Sequence, residues 1–459
     1  MFSNEERAMR FTRSMVATAG WAVLATAVPA VPALGQDDGP TRVVLHCGQV
    51  LAVPGEEPMG ESSIIIVDGA IERVVNGLVM IDAAPGQTPT RHIDLTDAFV
   101  MPGLIDCHTH LTHELPPMSI RLRRTLTETM AHSAIDGTIY AERTLMAGFT
   151  TVRNVGSLGE DIYALRDRIN AGQIVGPRIL AAGKSIAVTG GHADPTNGLQ
   201  PYLRPEVGPM EGVADGVAEM RKAVRERVKR GSDLIKITAT GGVLSNTAAG
   251  TDQQMFADEI EAVVESARMM GRKVAAHAHG ADGIKAALRG GVDSIEHGTY
   301  LDDEAIDLFV ETGAYLVPTI HAGKFVAEKS AEPEWFNPAI REKAAAVGPQ
   351  IQGSFGRAYE AGVNIAFGTD VGVGAHGTNW LEFVYMNEAG MPMNEAIKTA
   401  TINAADLCGL DNVGTLEAGM VADIIAVIGD PLSDAEAMED VVFVMKAGEV
   451  YKQPAASER

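Results

Sequence analysis

The sequence predicts an α/β fold, a (β/α)8 (TIM) barrel carrying a small composite β-sandwich built from both ends of the chain. Three observations lead there. Strand-like apolar runs alternate with helical patterns between residues 99 and 408. Hairpin signals flank that stretch on both sides. The 459 residues, 46% hydrophobic and 21% charged, match ordinary globular usage and suffice for one large barrel plus an appendage. Acidic residues outnumber basic ones 60 to 37, for a net charge of −23. A surface of that sign repels phosphate backbones and argues against a nucleic-acid partner.

At the N-terminus, Arg7, Arg10 and Arg13 precede an apolar run from Met15 to Val28, broken by Pro29 and Pro32. The run is shorter than the roughly 20 residues that span a bilayer. Ala33-Leu34-Gly35 offers small residues for cleavage before Gln36. Residues 1–35 therefore read as a secretory signal peptide. It implies a periplasmic or secreted protein with no membrane attachment after cleavage. Cys47, Cys107 and Cys408 are too few for a disulfide framework and are expected as buried thiols. Cys107 is expected to be a packed thiol rather than a nucleophile.

Residues 36–98 form the first part of the sandwich. Val43–Val53 and Ser63–Val67 are strand-like, and Asp68-Gly69 turns the chain into Ile71–Val75. The second part is 409–459, where Asp423–Val427 and Val441–Lys446 are strand-like and Ala447-Gly448 turns into Glu449–Lys452. The barrel occupies 99–408. Its eight strand candidates end near His108, Arg153, Ala182, Lys236, His277, His297, Thr319 and Asp370. Between them, Asp258–Met270 is amphipathic and stops at Gly271, and Ala281–Leu288 stops at Gly290-Gly291. A doubly wound open sheet is the runner-up, but it needs a Gly-rich phosphate turn after its first strand, and none stands there.

The chemistry-bearing residues fall at these strand ends, where barrel enzymes build their sites. Side chains alternate along a strand, so His108 and His110 project to one side. Two imidazoles on one face suit a divalent transition metal. Lys236 lies inside the apolar run Leu234–Ile237. A buried ammonium is expensive, so this lysine must be paired, neutral or modified. A neutral lysine takes up carbon dioxide to give an anionic carbamate with two oxygens. His277, His297 and Asp370 each close a further apolar run.

The order His-x-His, Lys, His, His, Asp resembles the amidohydrolase superfamily in its binuclear, carboxylated-lysine form. Phe149-Thr150-Thr151-Val152-Arg153, Gly190-Gly191-His192 and Gly414–Asp423 resemble its imidazolonepropionase-like and prolidase-like branch. That branch includes exported dipeptidases of Xaa-Pro and Xaa-Arg type and ochratoxin-hydrolysing enzymes. The resemblance implies two divalent metal ions, zinc by default. His108, His110 and Asp370 would hold one, His277 and His297 the other, and N6-carboxylated Lys236 would bridge them. It implies a hydroxide nucleophile, with Asp370 as the catalytic proton acceptor. It also implies a homo-oligomer and a small amide or dipeptide substrate that releases a free C-terminal amino acid. Asn154 stands where many relatives carry aspartate, which weakens close analogy of substrate.

His192 and His279 are the substrate-binding candidates, able to meet an oxyanion or a carboxylate, or instead to orient a ligand. Arg153 could hold a substrate carboxylate or belong to a buried ion pair. Glu114, His321 and His376 follow strand ends without a defined role, and His46, His92, His113 and His132 have no supporting context. Two other functions compete. A mononuclear cyclic-amide hydrolase or deaminase would lack the bridging lysine. A non-catalytic exported binding protein would have no need of an intact ligand set.

Overall fold

The computed structural model describes residues 41–83, 88–245 and 250–454. The signal-peptide reading of residues 1–35 lies outside the described residues. The described residues belong to one compact unit. Among the described residues no helix is long and apolar enough to cross a membrane.

The chain opens with β1 (Arg42–Val50), β2 (Ser62–Val67), β3 (Ala70–Asn76) and β4 (Arg91–Pro102). Alternation follows: β5 (Leu104–Thr109), α1 (Met118–Thr127), α2 (Met130–Met146), β6 (Phe149–Asn154), α3 (Asp161–Asn170) and β7 (Arg178–Ala181). Next come α4 (Gly216–Lys229), β8 (Ile235–Thr238), α5 (Ala257–Met269), β9 (Val274–Ala278), α6 (Ala281–Gly290) and β10 (Ser294–His297). After α7 (Asp303–Thr312) and β11 (Tyr315–Val317) run five helices, α8 (Ile320–Lys329), α9 (Pro338–Glu360), α10 (Leu381–Glu388), α11 (Met393–Thr399) and α12 (Ile402–Cys408). β12 (Ile424–Val427), β13 (Val441–Lys446) and β14 (Glu449–Lys452) end the fold.

Strands from both ends of the described chain join in a single seven-stranded sheet rather than the two facing sheets of a sandwich. Its order is β14-β13-β12-β4-β1-β2-β3. The reason is the length of β4. Residues 91–100 pair with β1, and 99–102 pair with β12, so one strand spans both halves. Leu45, Ile64 and Val100 share a core cluster with Ile424, Phe443 and Met445, so the two halves bury their apolar side chains together. At the hairpin tips, Asp68 and Gly69 adopt φ of 51° and 82°, and Ala447 and Gly448 51° and 79°. These are the paired positive values of a two-residue type I′ turn.

In place of the expected eight-stranded sheet stand two parallel sheets of three and four strands, β5-β6-β7 and β8-β9-β10-β11. Backbone hydrogen bonds link them on both sides. The Ile186 N–H donates to Lys236 O at 2.8 Å, and the Thr238 N–H to Ile186 O at 3.0 Å. On the far side the Ala366 N–H donates to Leu316 O at 3.1 Å, and the Cys107 N–H to Phe367 O at 2.8 Å. Residues 365–370 are thus hydrogen-bonded where the eighth strand was expected, without forming a regular one. The Thr369 N–H turns to the Asp106 carboxylate, and Asp370 takes a left-handed φ of 60°.

Helices form for the reason their patterning suggests. Ile260, Val263, Val264 and Ala267 of α5 are all buried, at the i, i+3, i+4, i+7 spacing of one helical face. Gly271, at φ 64°, follows where the chain leaves the helix. Inside, Phe367 packs between Phe149 and Phe383, with centroids at 5.5 and 4.3 Å. Truncating such a buried ring costs about 3–5 kcal/mol, which anchors the segment leading into Asp370.

Candidate active site

The site lies at the C-terminal ends of the parallel strands. His108, His110, His192, Lys236, His277, His279, His297 and Asp370 all line one cavity of about 170 Å³, partly open to solvent. The six proposed ligands and both proposed substrate-binding histidines therefore meet in one place.

Asp370 sits between His108 of β5 and His110 just beyond it. Its Oδ1 is 3.1 Å from His110 Nε2 and 3.5 Å from His108 Nε2, yet that oxygen has no contact of hydrogen-bond geometry. A left-handed aspartate is strained by about 1–3 kcal/mol and persists only when its surroundings over-determine it. Here they do. The Asp370 N–H donates to His108 O at 2.7 Å. The carboxylate of Asp106 accepts from the backbone N–H groups of His108 and Thr369, from Thr369 Oγ1 and from Asn379 Nδ2. Among the described residues five non-glycine positions have positive φ. Two make the hairpin tips; the other three, His297, Thr319 and Asp370, line the cavity.

Four of the cavity histidines are each held through Nδ1. His108 Nδ1 meets Glu296 Oε2 at 2.7 Å, and His110 Nδ1 meets Gly156 O at 2.9 Å. His297 Nδ1 meets Thr319 Oγ1, and His279 Nδ1 meets Thr299 Oγ1, both at 2.7 Å. One ligand-type atom from each of His277, His279 and His297 lies within 4.8 Å of the others, and the same holds for His108, His297 and Asp370. His279, expected beside the substrate, is thus as close to the second histidine pair as a ligand would be.

Lys236 is buried, and its Nζ has no hydrogen-bond partner. Burial pushes its pKa down to about 8, against the pull of Glu296 and Asp370. Burial also lowers His108 and His192 to about 4 and His279 to about 3, and holds His277 and His297 well below the usual imidazole range. These rings are neutral at pH 7, the form that ligates metals. Asp370 and Glu296 remain ionised although burial opposes it. For Asp370 the neighbouring His108 and His110 outweigh burial; for Glu296, Arg153 and Lys236 do. Neutral imidazoles, an unbonded carboxylate oxygen and an unpartnered buried amine form a donor set that fits divalent transition metals.

The other candidates separate cleanly. Arg153 is a buried ion-pair member: Nη2 donates to Glu296 Oε1 at 2.8 Å, Nη1 to Ser294 Oγ at 3.0 Å and Nε to Cys107 O at 2.6 Å. Glu114 accepts from the His376 backbone N–H at 2.8 Å, and the His376 ring stacks on Tyr140 with centroids at 4.7 Å. The His321 backbone N–H donates to Glu382, and its Nε2 meets Thr378 Oγ1 at 3.0 Å. None of these four residues lines the cavity. The Asn154 amide receives the Leu111 N–H at 2.7 Å and donates to Gly156 O, a loop-bracing role. His192 stacks on His277, centroids 4.3 Å apart, and its Nδ1 is unpartnered. Gly242 permits this: a Cβ there would come within 2.2 Å of the His192 ring.

Sequence reasoning missed two residues. Glu296 is fully buried at the centre of the His108–Arg153 network. The argument that singled out Lys236, a charge inside an apolar strand, applies to it equally. His113 lines the cavity with an unpartnered Nδ1, and nothing in its local pattern signalled that.

A model of the amidohydrolase family matches residues 99–452. The chain is 31% identical to ochratoxinase from Aspergillus niger over 439 residues, covering 90% of this chain and 87% of that enzyme. Its fold is similar to the crystal structure of a Xaa-Pro dipeptidase with methionine bound in the active site, at 46% identity and a TM-score of 0.86, covering 90% of this chain and 100% of that one. It is also similar to a prolidase complexed with N-methylphosphonate-L-proline, at 31% identity and a TM-score of 0.81, with 90% and 100% covered.

Proposed function

Because the chain belongs to the amidohydrolase family, whose members are metal-dependent, and is a hydrolase of amide C–N bonds, we propose that it is a binuclear dipeptidase or carboxypeptidase that releases a free C-terminal amino acid. N-acyl amino acids such as ochratoxin A are within its substrate class. The observation that carries this reading is the unpartnered Nζ of Lys236, buried in the cavity that also holds Asp370 and the histidines. A lysine with no partner in such a place calls for modification.

His108, His110 and Asp370 would hold one ion, His277 and His297 the other, with carboxylated Lys236 between them; zinc is the default. Bound there, the metals supply Lewis acidity and lower the pKa of the attacking water. Asp370 would take that water's proton and deliver it to the leaving nitrogen. His192 and His279 hold the developing oxyanion or the substrate carboxylate. Val243, Val326, Val347 and Ile351 form an apolar wall that favours substrates with an apolar side chain. The two-sided linkage of the parallel sheets supports reading them as one (β/α)8 barrel. Residues 1–35 direct export, so the native protein begins at Gln36, which N-terminal sequencing reads directly. It works as a homo-oligomer.

The test is a screen of zinc-reconstituted protein against dipeptides and N-acyl amino acids, with released amino acids identified by mass spectrometry. Release of a C-terminal amino acid supports the reading. Turnover only of cyclic amides or amino-purines, with one ion per chain, favours the mononuclear alternative.

A further inference from the structure

The three thiols divide into one apart and one pair. Cys47 lies in the core of the seven-stranded sheet. Cys107 and Cys408, 301 residues apart in sequence, have their Sγ atoms 3.9 Å from each other. Cys107 projects from β5 away from the cavity, into an apolar cluster with Ile105, Ala404 and Leu407. Its backbone is fixed from two sides, its N–H donating to Phe367 O at 2.8 Å and its carbonyl accepting from Arg153 Nε at 2.6 Å. Cys408 is the last residue of α12, ahead of a left-handed Gly409, and is only half-buried.

We propose that Cys107 and Cys408 form an oxidation site that closes to a disulfide and staples α12 to β5. A disulfide needs its sulfurs about 2.05 Å apart, so side-chain rotation at the helix end must close the remaining gap. Helix ends fray and leave room for this. The sequence alone pointed to separate buried thiols, because nothing in it shows that α12 returns to the first parallel strand.

Hydrogen peroxide is a sufficient oxidant. The sulfur of Cys408, the less buried residue of the pair, attacks a peroxide oxygen and the O–O bond breaks. The departing hydroxide takes the thiol's proton, leaving water and a Cys408 sulfenic acid. The Cys107 sulfur then attacks the Cys408 sulfur, the S–O bond breaks, the S–S bond forms, and a second water leaves with the Cys107 proton. The two sulfurs together lose two electrons, and the peroxide is reduced to water. Closing so long a loop restricts the unfolded chain strongly, so the oxidised form unfolds at a higher temperature.

The experiment treats the full-length metal-loaded protein with dilute peroxide. It then counts alkylatable thiols after denaturation, maps peptides by mass spectrometry and records the apparent Tm. The expected result is a fall from three thiols to one, a Cys107–Cys408 linked peptide pair two hydrogens lighter than its parts, and an apparent Tm raised by a few degrees. Dithiothreitol reverses all three. C408S and, independently, C107A keep both remaining thiols and show no rise. Three thiols surviving peroxide, a Cys408 sulfinic acid beside a free Cys107, or a linked pair with unchanged Tm would overturn the staple. None of these readouts depends on hydrolysis, so the inference stands or falls apart from the functional reading.

Discussion

His108 Nδ1 lies 2.7 Å from Glu296 Oε2, and both side chains are buried. The ring N–H donates to that carboxylate, which leaves Nε2 as a lone pair facing the cavity. The other carboxylate oxygen, Oε1, accepts from Arg153 Nη2 and from Ser294 Oγ, so Glu296 cannot swing away. A partner of this kind fixes the tautomer and orientation of a metal-binding imidazole.

Replacing Glu296 with glutamine keeps the shape and removes the charge. Metal affinity is expected to fall about 10–100-fold, read by competition with a chelator. Arg153 would also lose its buried counter-charge, destabilising the fold by about 3–5 kcal/mol, read by denaturant unfolding. Wild-type metal affinity in E296Q would mean that His108 is held some other way.

Lys236 gives a pH prediction. Its pKa is lowered to about 8, so deprotonation begins earlier as pH rises, and about one molecule in ten carries the neutral amine at pH 7. Metal-stripped protein supplied with zinc at constant dissolved carbon dioxide should therefore regain activity faster as pH rises, levelling off above about 8. A rate independent of pH would speak against carboxylation. K236A should lose most of both metal and turnover.

Asp370 is assigned the proton transfer. D370N should lower kcat by about 10²–10⁴-fold while the other ligands keep part of the metal in place. The kcat and KM values, taken beside metal content, separate lost proton transfer from lost metal. A variant with full metal and unchanged kcat would move the role to another group.

Gly242 sets the position of His192. A Cβ there meets the ring at 2.2 Å, so G242A should displace His192 and reduce kcat/KM about tenfold or more, the scale of one misplaced polar contact. Metal content should stay that of the wild type. Equal loss of metal and activity would instead make His192 part of the metal centre.

The hairpins were legible because their turns are local: Asp68-Gly69 and Ala447-Gly448 carry the needed backbone freedom in the residues themselves. The strand-end positions of His277 and His297 were legible because each closes an apolar run, His108 because it opens a His-x-His pair at such an end, and Lys236 because its charge lies inside one. Three features were not. The joining of seven strands into one sheet depends on how far β4 reaches. The irregular eighth segment depends on Asp106 drawing the Thr369 N–H out of the ladder. The Cys107–Cys408 contact depends on where α12 docks. Each is set by a partner far away in sequence, and no local pattern encodes it.

The most direct test is a zinc titration of metal-stripped protein, with bound metal and release of a C-terminal amino acid measured on the same samples. The account predicts that hydrolysis rises to a plateau at two ions per chain, and that K236A reaches neither the second ion nor the plateau. Full activity at one ion per chain, or in the stripped protein, would contradict it.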